Sequence, residues 1–186
     1  MERREAILSV NLDELTRSVV WNGESIALRA VRPDDGDRLN AALALCTLED
    51  VYFRFGTGMH RMPDDLVRRL TELDYDQHMA LLAEDADGEV LGVARLVCDP
   101  GCQSAEFALI VRSDRQKHGL GALLFEALEQ YAVRKGVREV WGDIASQNSR
   151  MREFTLHLGF HFEPGADFTR TRVVKSLEAG RAVPAR

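Results

Sequence analysis

Apolar positions along this chain recur with two different periods, and the switches between them divide it into elements. Ile26 to Val31 is an apolar run that reads as a strand. Arg32-Pro33-Asp34-Asp35-Gly36 then interrupts it, with Pro33 and the acids suited to a helix N-terminus. Leu39, Leu43 and Cys46 follow at helical spacing. Val51 to Met59, carrying Tyr52, Phe53 and Phe55 ahead of Gly56 and Gly58, reads as a partly buried loop. A second helix is predicted after Pro63, with Leu66, Leu70 and Leu73 on one face. His78 to Ala83 and Val90 to Val97 flank Asp87-Gly88, the pattern of a hairpin. Asp99-Pro100-Gly101 is a second turn, and Ala105 to Arg112 a third strand in this stretch. Gly119 to Lys135 is the longest predicted helix, with a wide stripe of Leu120, Leu123, Leu124, Ala127, Leu128 and Tyr131. Gly136 stands where a C-cap is wanted. A strand (Val140 to Ala145), a helix (Ser149 to His157) stopped by Gly159-Phe160, and a closing strand (Thr169 to Leu177) complete the pattern. The order β-α-α-β-β-β-α-β-α-β predicts one mixed α/β domain over residues 26–177. Residues 1–25 read as an N-terminal extension whose short apolar runs, Ala6-Ile7-Leu8 and Leu12…Leu15…Val19, fit a short helix or a strand packed on the domain. Residues 178–186 read as a loose tail.

Composition narrows the functional classes. The 186 residues make about one domain, long enough to bury a core without disulfide or metal staples. With 24 basic and 30 acidic residues the net charge is −6, which speaks against broad nucleic-acid binding. The start, Met-Glu-Arg-Arg-Glu, is charged with no apolar signal run behind it, and no window approaches the roughly 18 apolar residues of a membrane span. The expectation is a cytoplasmic protein without a membrane or nucleic-acid partner. Cys46, Cys98 and Cys102 do not make a disulfide framework; Cys98 and Cys102 span a turn and can face one another, in a structural or incidental role. His157 and His161 have a helical metal-ligand spacing, but Gly159 ends the helix between them, so no metal is expected.

The most informative segment is Val111-Arg112-Ser113-Asp114-Arg115-Gln116-Lys117-His118-Gly119-Leu120-Gly121. A strand runs out, a polar loop turns, and a long helix starts at two glycines. The first amides of a helix have no internal partner and form a ready anion site. A phosphate loop of the Gly-x4-Gly-Lys-[Ser/Thr] type is missing, and the third glycine of a dinucleotide fingerprint is replaced by Leu124. The glycines alone leave two readings, close approach to a ligand or close helix packing.

Gln116-x-x-Gly119-x-Gly121 after a strand resembles motif A of the GCN5-related N-acetyltransferases, the GNAT family. Asn148 opening a helix that ends in Leu158-Gly159-Phe160 resembles that family's later motif, at fitting spacing. Ala105 to Asp114 is similar to the fourth strand, and Leu48 to Phe55 to the early helix and loop, of the catalytic domain of bacterial Pat-type protein lysine acetyltransferases. The likeness spans about residues 26–175.

The resemblance implies a mostly antiparallel sheet of six to seven strands flanked by about four helices, with a central parallel pair that splays. It implies acetyl-CoA as co-substrate. The backbone of Gln116, Lys117, His118, Gly119, Leu120, Gly121 and Ala122 would cradle the pyrophosphate, and an amide near Ile110 or Val111 would polarise the thioester carbonyl. Lys117 and His118 would touch the phosphates or simply form a solvated loop. Asn148 would bond the pantetheine arm or serve as a helix N-cap, or both. Glu106 falls at the family's catalytic glutamate; the other reading is a strand-edge glutamate in a salt bridge. A base matters because a lysine-type amine titrates near 10.4, so about one in a thousand is nucleophilic at neutral pH, a handicap of about 4 kcal/mol. Partial burial would lift Glu106 toward a useful value. Thr155 stands where many members place a tyrosine general acid, so no acid is assigned. The implied acceptor is a protein lysine, with a small amine as runner-up and a non-catalytic acyl-CoA sensor as the other class. Seven acids between Glu49 and Asp76 suggest an acidic rim for a cationic acceptor or an ordinary solvated face. A homodimer is possible. The nucleotide-sensing or synthetase-like parts common in Pat proteins have no counterpart in these residues.

Overall fold

The structure is a computed structural model that describes residues 15–163 and 168–177. The runs Ala6-Ile7-Leu8 and Leu12, and the tail 178–186, lie outside the described residues. A hairpin opens the sheet: β1 (Arg17–Trp21) and β2 (Glu24–Ala30) pair antiparallel. Asn22 and Gly23 between them both take positive φ, 50° and 83°, as a two-residue turn matched to strand twist requires. The strand expected from Ile26 therefore starts two residues earlier, and of the helix and strand readings for the run ending at Val19 the strand holds, as the partner on its outer edge.

Three short helices cross one face: α1 (Gly36–Ala44), α2 (Leu48–Phe55) and α3 (Asp64–Thr71). The loop expected from Val51 is instead helical as far as Phe55. Thr47 caps that helix by accepting from the Asp50 amide, Glu49 and Asp50 fill the first turn, and Gly56 ends it in the left-handed region. Next come β3 (His78–Glu84), β4 (Val90–Cys98) and β5 (Ser104–Val111), an antiparallel meander. The turn after β4 is stapled by a Cys98–Cys102 disulfide, and the Asp99 carboxylate accepts from Gln103 and Ser104. The long helix α4 (Leu120–Lys135) covers the other face, followed by β6 (Glu139–Ala145), α5 (Ser149–His157), β7 (His161–Glu163) and β8 (Arg170–Ser176).

The sheet runs β1-β2-β3-β4-β5-β6-β8-β7, with β5 and β6 as its parallel pair. Among the described residues it has eight strands and five α-helices. The hairpin partner β1, the three-residue β7 and the helix α2 make up the difference from the expected counts. Two cores lie on opposite faces. One packs Leu120, Leu124 and Leu128 of α4 against Phe107, Phe125 and Phe160, whose rings stand 5.0–5.4 Å apart. The other packs Leu39, Leu43 and Val51 on Val31 and Leu82.

The parallel pair is short. Ser104–Glu106 align with Glu139–Trp141, and no further pairing joins the two strands, although each continues for five or four residues. Just beyond, the Phe107 ring lies where a Cβ on Gly142 would be, at 2.6 Å. The ring has room only because position 142 carries no side chain, and it wedges the strands apart above the aromatic cluster. That is the splay the resemblance implied.

Candidate active site

At the mouth of the parted strands, β5 gives way to a 3-10 turn (Ser113–Arg115) and then to residues 116–119. Lys117 and Gly119 adopt φ of 70° and 82°, which folds the backbone inward before α4 begins. Gly119 is the N-cap, with no side-chain cap and no acid in the first turn. The opening amides of α4, on Leu120, Gly121 and Ala122, are thus uncapped donors at the positive end of a 16-residue helix. Leu120 is buried and anchors the helix start, whereas Lys117 and His118 are exposed. The two glycines answer to different needs. Nothing lies within 4 Å of where a Gly119 Cβ would point, so that glycine is there for its positive φ. A Cβ on Gly121 would meet Leu109 at 3.2 Å and Phe154 at 3.3 Å, so that one admits close packing of α4 on β5 and α5.

Strand β1 braces this loop. Trp21 donates from Nε1 to the His118 carbonyl at 2.6 Å, and its ring meets the imidazole edge-on at 6.3 Å. Trp21→Phe keeps an aromatic side chain but deletes the donor and trims the buried indole to a phenyl ring. It is expected to cost about 0.5–1.5 kcal/mol of unfolding free energy, read by denaturant melts, and to speed amide exchange at 117–119.

A second brace ties α2, the loop and α5 together. Asp50 accepts from Ser113 Oγ, from Gln116 Nε2 at 3.0 Å and from Arg150 at 2.6 Å; Arg150 also donates to Gln116 Oε1 at 2.7 Å. Although desolvation acts against it, the Ser113 hydrogen bond, helped by Thr47 and the Arg150 charge, holds the Asp50 carboxyl below its ordinary value. The side chain of Gln116 is therefore spent on the brace, and its backbone is the part expected at the pyrophosphate. Asn148 is likewise an N-cap, its Oδ1 accepting from the Met151 amide at 3.0 Å. Sequence reading missed Asp50 and Arg150 because their partners are 63 to 100 residues away.

Inside the gap, strand alternation decides which amide is exposed to a ligand. The Arg112 amide bonds Leu91 on β4, so Ile110, two residues earlier, also points its amide at β4. Val111 points the other way, into the gap. Glu106 is the last β5 residue paired with β6, opposite Trp141. The expectation of a partly buried Glu106 is overturned: the residue is exposed. It projects from an open sheet face, where the next strand contributes Trp141, with Arg172 stacked 4.1 Å above it and paired with Asp143. Arg54 and Arg172 both feel the Glu106 charge. Thr155 is fully buried and donates to the Arg152 carbonyl, so it faces no reacting atom. Of the seven acids between Glu49 and Asp76, Glu49, Asp50, Asp65, Asp74 and Asp76 are engaged with neighbouring groups, Glu49 and Asp50 with Arg150, Asp65 with Arg69, Asp74 with three successive amides and Asp76 with Lys135. His157 and His161 go to separate partners, the Glu153 carbonyl and Glu163. A cavity of about 60 Å³ lies beside the gap, between α1–α3 and β3–β5; of the expected site residues it takes in Ile110.

Uncapped amides at the foot of a long helix, opening onto a wedge between two parallel strands, define a mixed α/β fold with an anion-accepting helix start. The chain belongs to the acetyltransferase (GNAT) family, whose profile matches residues 43–160. Acetyltransferase PA5475 of Pseudomonas aeruginosa is 28% identical over 163 residues, 85% of this chain and 86% of that one. The GNAT domain of S. lividans PAT superposes with a TM-score of 0.83 at 22% identity, over 88% of this chain and 98% of that one. Spermidine N-acetyltransferase from Vibrio cholerae, in complex with CoA and spermine, superposes with a TM-score of 0.65 at 16% identity, over 82% and 95%. Among the described residues no helix is long and apolar enough to cross a membrane.

Proposed function

We propose that the protein transfers an acetyl group from acetyl-CoA to an amine by direct attack in a ternary complex, with a protein lysine as the favoured acceptor. The observation that carries this is the uncapped start of α4 at the mouth of the wedge between β5 and β6. Acetyl-CoA supplies the activated thioester. The backbone from Gln116 to Ala122, with Lys117 and His118 at its exposed tip, holds the pyrophosphate through charge-assisted hydrogen bonds. The Val111 amide, rather than that of Ile110, donates to the carbonyl oxygen as negative charge develops there. Glu106 takes the amine proton, directly or through water, as the N–C bond forms and the C–S bond breaks. The leaving thiolate takes its proton from solvent. Asn148 keeps α5 in register beside the pantetheine path.

Ala122→Glu separates the ligand role from helix stability. A carboxylate in the first turn of α4 favours the helix by about 0.3–1 kcal/mol and repels a diphosphate. The expected result is an unchanged or raised melting temperature with acetyl-CoA affinity lowered more than tenfold, read by calorimetry. The acceptor is tested by adding isotope-labelled acetyl-CoA and the protein to a lysate and reading the label by mass spectrometry. Label on lysines of a few proteins supports the favoured reading. Label confined to small amines supports the second, which the likeness to a spermidine acetyltransferase favours.

A further inference from the structure

The cavity beside the gap is lined by apolar residues such as Leu39, Leu43, Met62 and Val93, yet Arg54 and Arg95 also face it. Three other arginines of the fold are neutralised by carboxylates. Arg29 has Asp35 and Glu84, Arg112 has Glu89 and Asp114, and Arg172 has Asp143. Arg54 is different. Its guanidinium stacks 4.8 Å over the Phe55 ring and has no carboxylate or carbonyl partner among the described residues. Burial, and then the like charge of Arg95, pull its pKa down to about 10, opposed only by Glu106. Arg95 spends both terminal nitrogens on the Arg69 carbonyl and has no carboxylate contact among the described residues.

An apolar chamber faced by a half-buried guanidinium without a carboxylate partner suits a short chain that ends in an anion, and the planar fork of Arg matches a carboxylate. The floor of the chamber is Ala108 and Ile110 of β5, adjoining the Val111 amide that faces the gap. Its volume of about 60 Å³ holds about four water-sized spheres, the size of the CH2–COO⁻ that a dicarboxylic acyl group adds to acetyl.

We propose that this cavity receives the carboxylate end of a substrate, foremost a short dicarboxylic acyl chain carried on CoA, with Arg54 as the receiving residue and Arg95 adding charge. This rests on the acyl-CoA reading above and names a substrate class for it. Sequence reading gave no signal, since Arg54 lies in the stretch that reads as a loop.

The test uses the full chain and two matched pairs. Succinyl-CoA and butyryl-CoA differ by a carboxylate in place of a methyl, and calorimetry compares their affinities. An amino acid and its amide, offered together with acetyl-CoA, compare acceptors in the same way. The expected result is succinyl-CoA bound at least about tenfold more tightly than butyryl-CoA, with the ratio lost in Arg54→Gln and partly kept in Arg54→Lys. A carboxylate preference that appears only with the acceptors, and is lost in Arg54→Gln, supports the same site with the carboxylate on the amine substrate. Equal binding of the two acyl-CoAs together with equal use of the two acceptors overturns the proposal while leaving acetyl transfer intact. Failure of every acyl-CoA to bind overturns the acyl-CoA reading, and this proposal with it.

Discussion

Replacing Glu106 by Gln is expected to leave acetyl-CoA affinity in place and to lower turnover by about 10²–10⁴-fold. The substitution keeps size and hydrogen-bonding shape and removes only the capacity to take a proton. Position makes Glu106 the candidate. It is the last residue held by both neighbours, Val97 on β4 and Trp141 on β6, before the strands part. Its side chain shares a sheet face with Ala108 and Ile110, next to the point where the Val111 amide turns into the gap. Exposure, which the sequence did not foretell, alters the chemistry rather than the assignment. A base open to water can hand its proton on through solvent after each turnover, and needs no buried relay. Affinity is read by calorimetry and turnover by thiol release. Turnover equal to wild type removes Glu106 from the mechanism. A wild type that binds CoA tightly but acetylates nothing across a broad acceptor screen makes the protein a sensor instead.

Much of this candidate site was legible because the part proposed to face the ligand is backbone, and backbone shape is written in short-range residues. Gly119 and Gly121, the strand before them and the stripe of α4 behind them lie within one stretch of chain, so local pattern located the uncapped helix start that is proposed as the cradle. What escaped was of two kinds. Asp50, Arg150 and Trp21 matter through partners 63 to 100 residues away, and no periodicity encodes such pairings. Local signals were also outweighed by composition. Asn22-Gly23 is a strong hairpin dipeptide and Thr47-Leu48-Glu49-Asp50 a sound helix start, but the aromatic and glycine content around the latter favoured a loop. The disagreement at Glu106 has a third origin. Its apolar neighbours Ala105 and Phe107 point to the α4 side, so an apolar run in a two-faced strand said nothing about the other face.

Asp35→Asn is expected to be the most destabilising single change that leaves the catalytic face untouched. Asp35 is 2% exposed and lies at the junction of β2 and α1. Its carboxylate takes two bonds from Arg29 (2.7 and 2.8 Å), one from Arg38 (3.0 Å) and one from the Arg32 amide (2.7 Å), and Glu84 completes the cluster from β3. Removing one partner of a buried pair leaves the other charge uncompensated, which costs roughly 3–5 kcal/mol. For a chain of this length that lowers the melting temperature by on the order of 10 °C. The pH dependence fixes the cause. Desolvation alone would raise the Asp35 carboxyl, but the Arg29 hydrogen bond, the Arg32 amide and the charges of Arg29 and Arg38 hold it below its ordinary value. Glu84 is held down by the same two arginines against its own desolvation. A carboxyl depressed in the folded state adds stability that is complete above its unfolded value, about 4, and is lost as pH falls through the folded value. The gap in melting temperature between wild type and Asp35→Asn should therefore be full at neutral pH and narrow steadily below about pH 4. A gap that stays constant down to low pH would mean that Asp35 acts through shape and hydrogen bonding rather than through its charge.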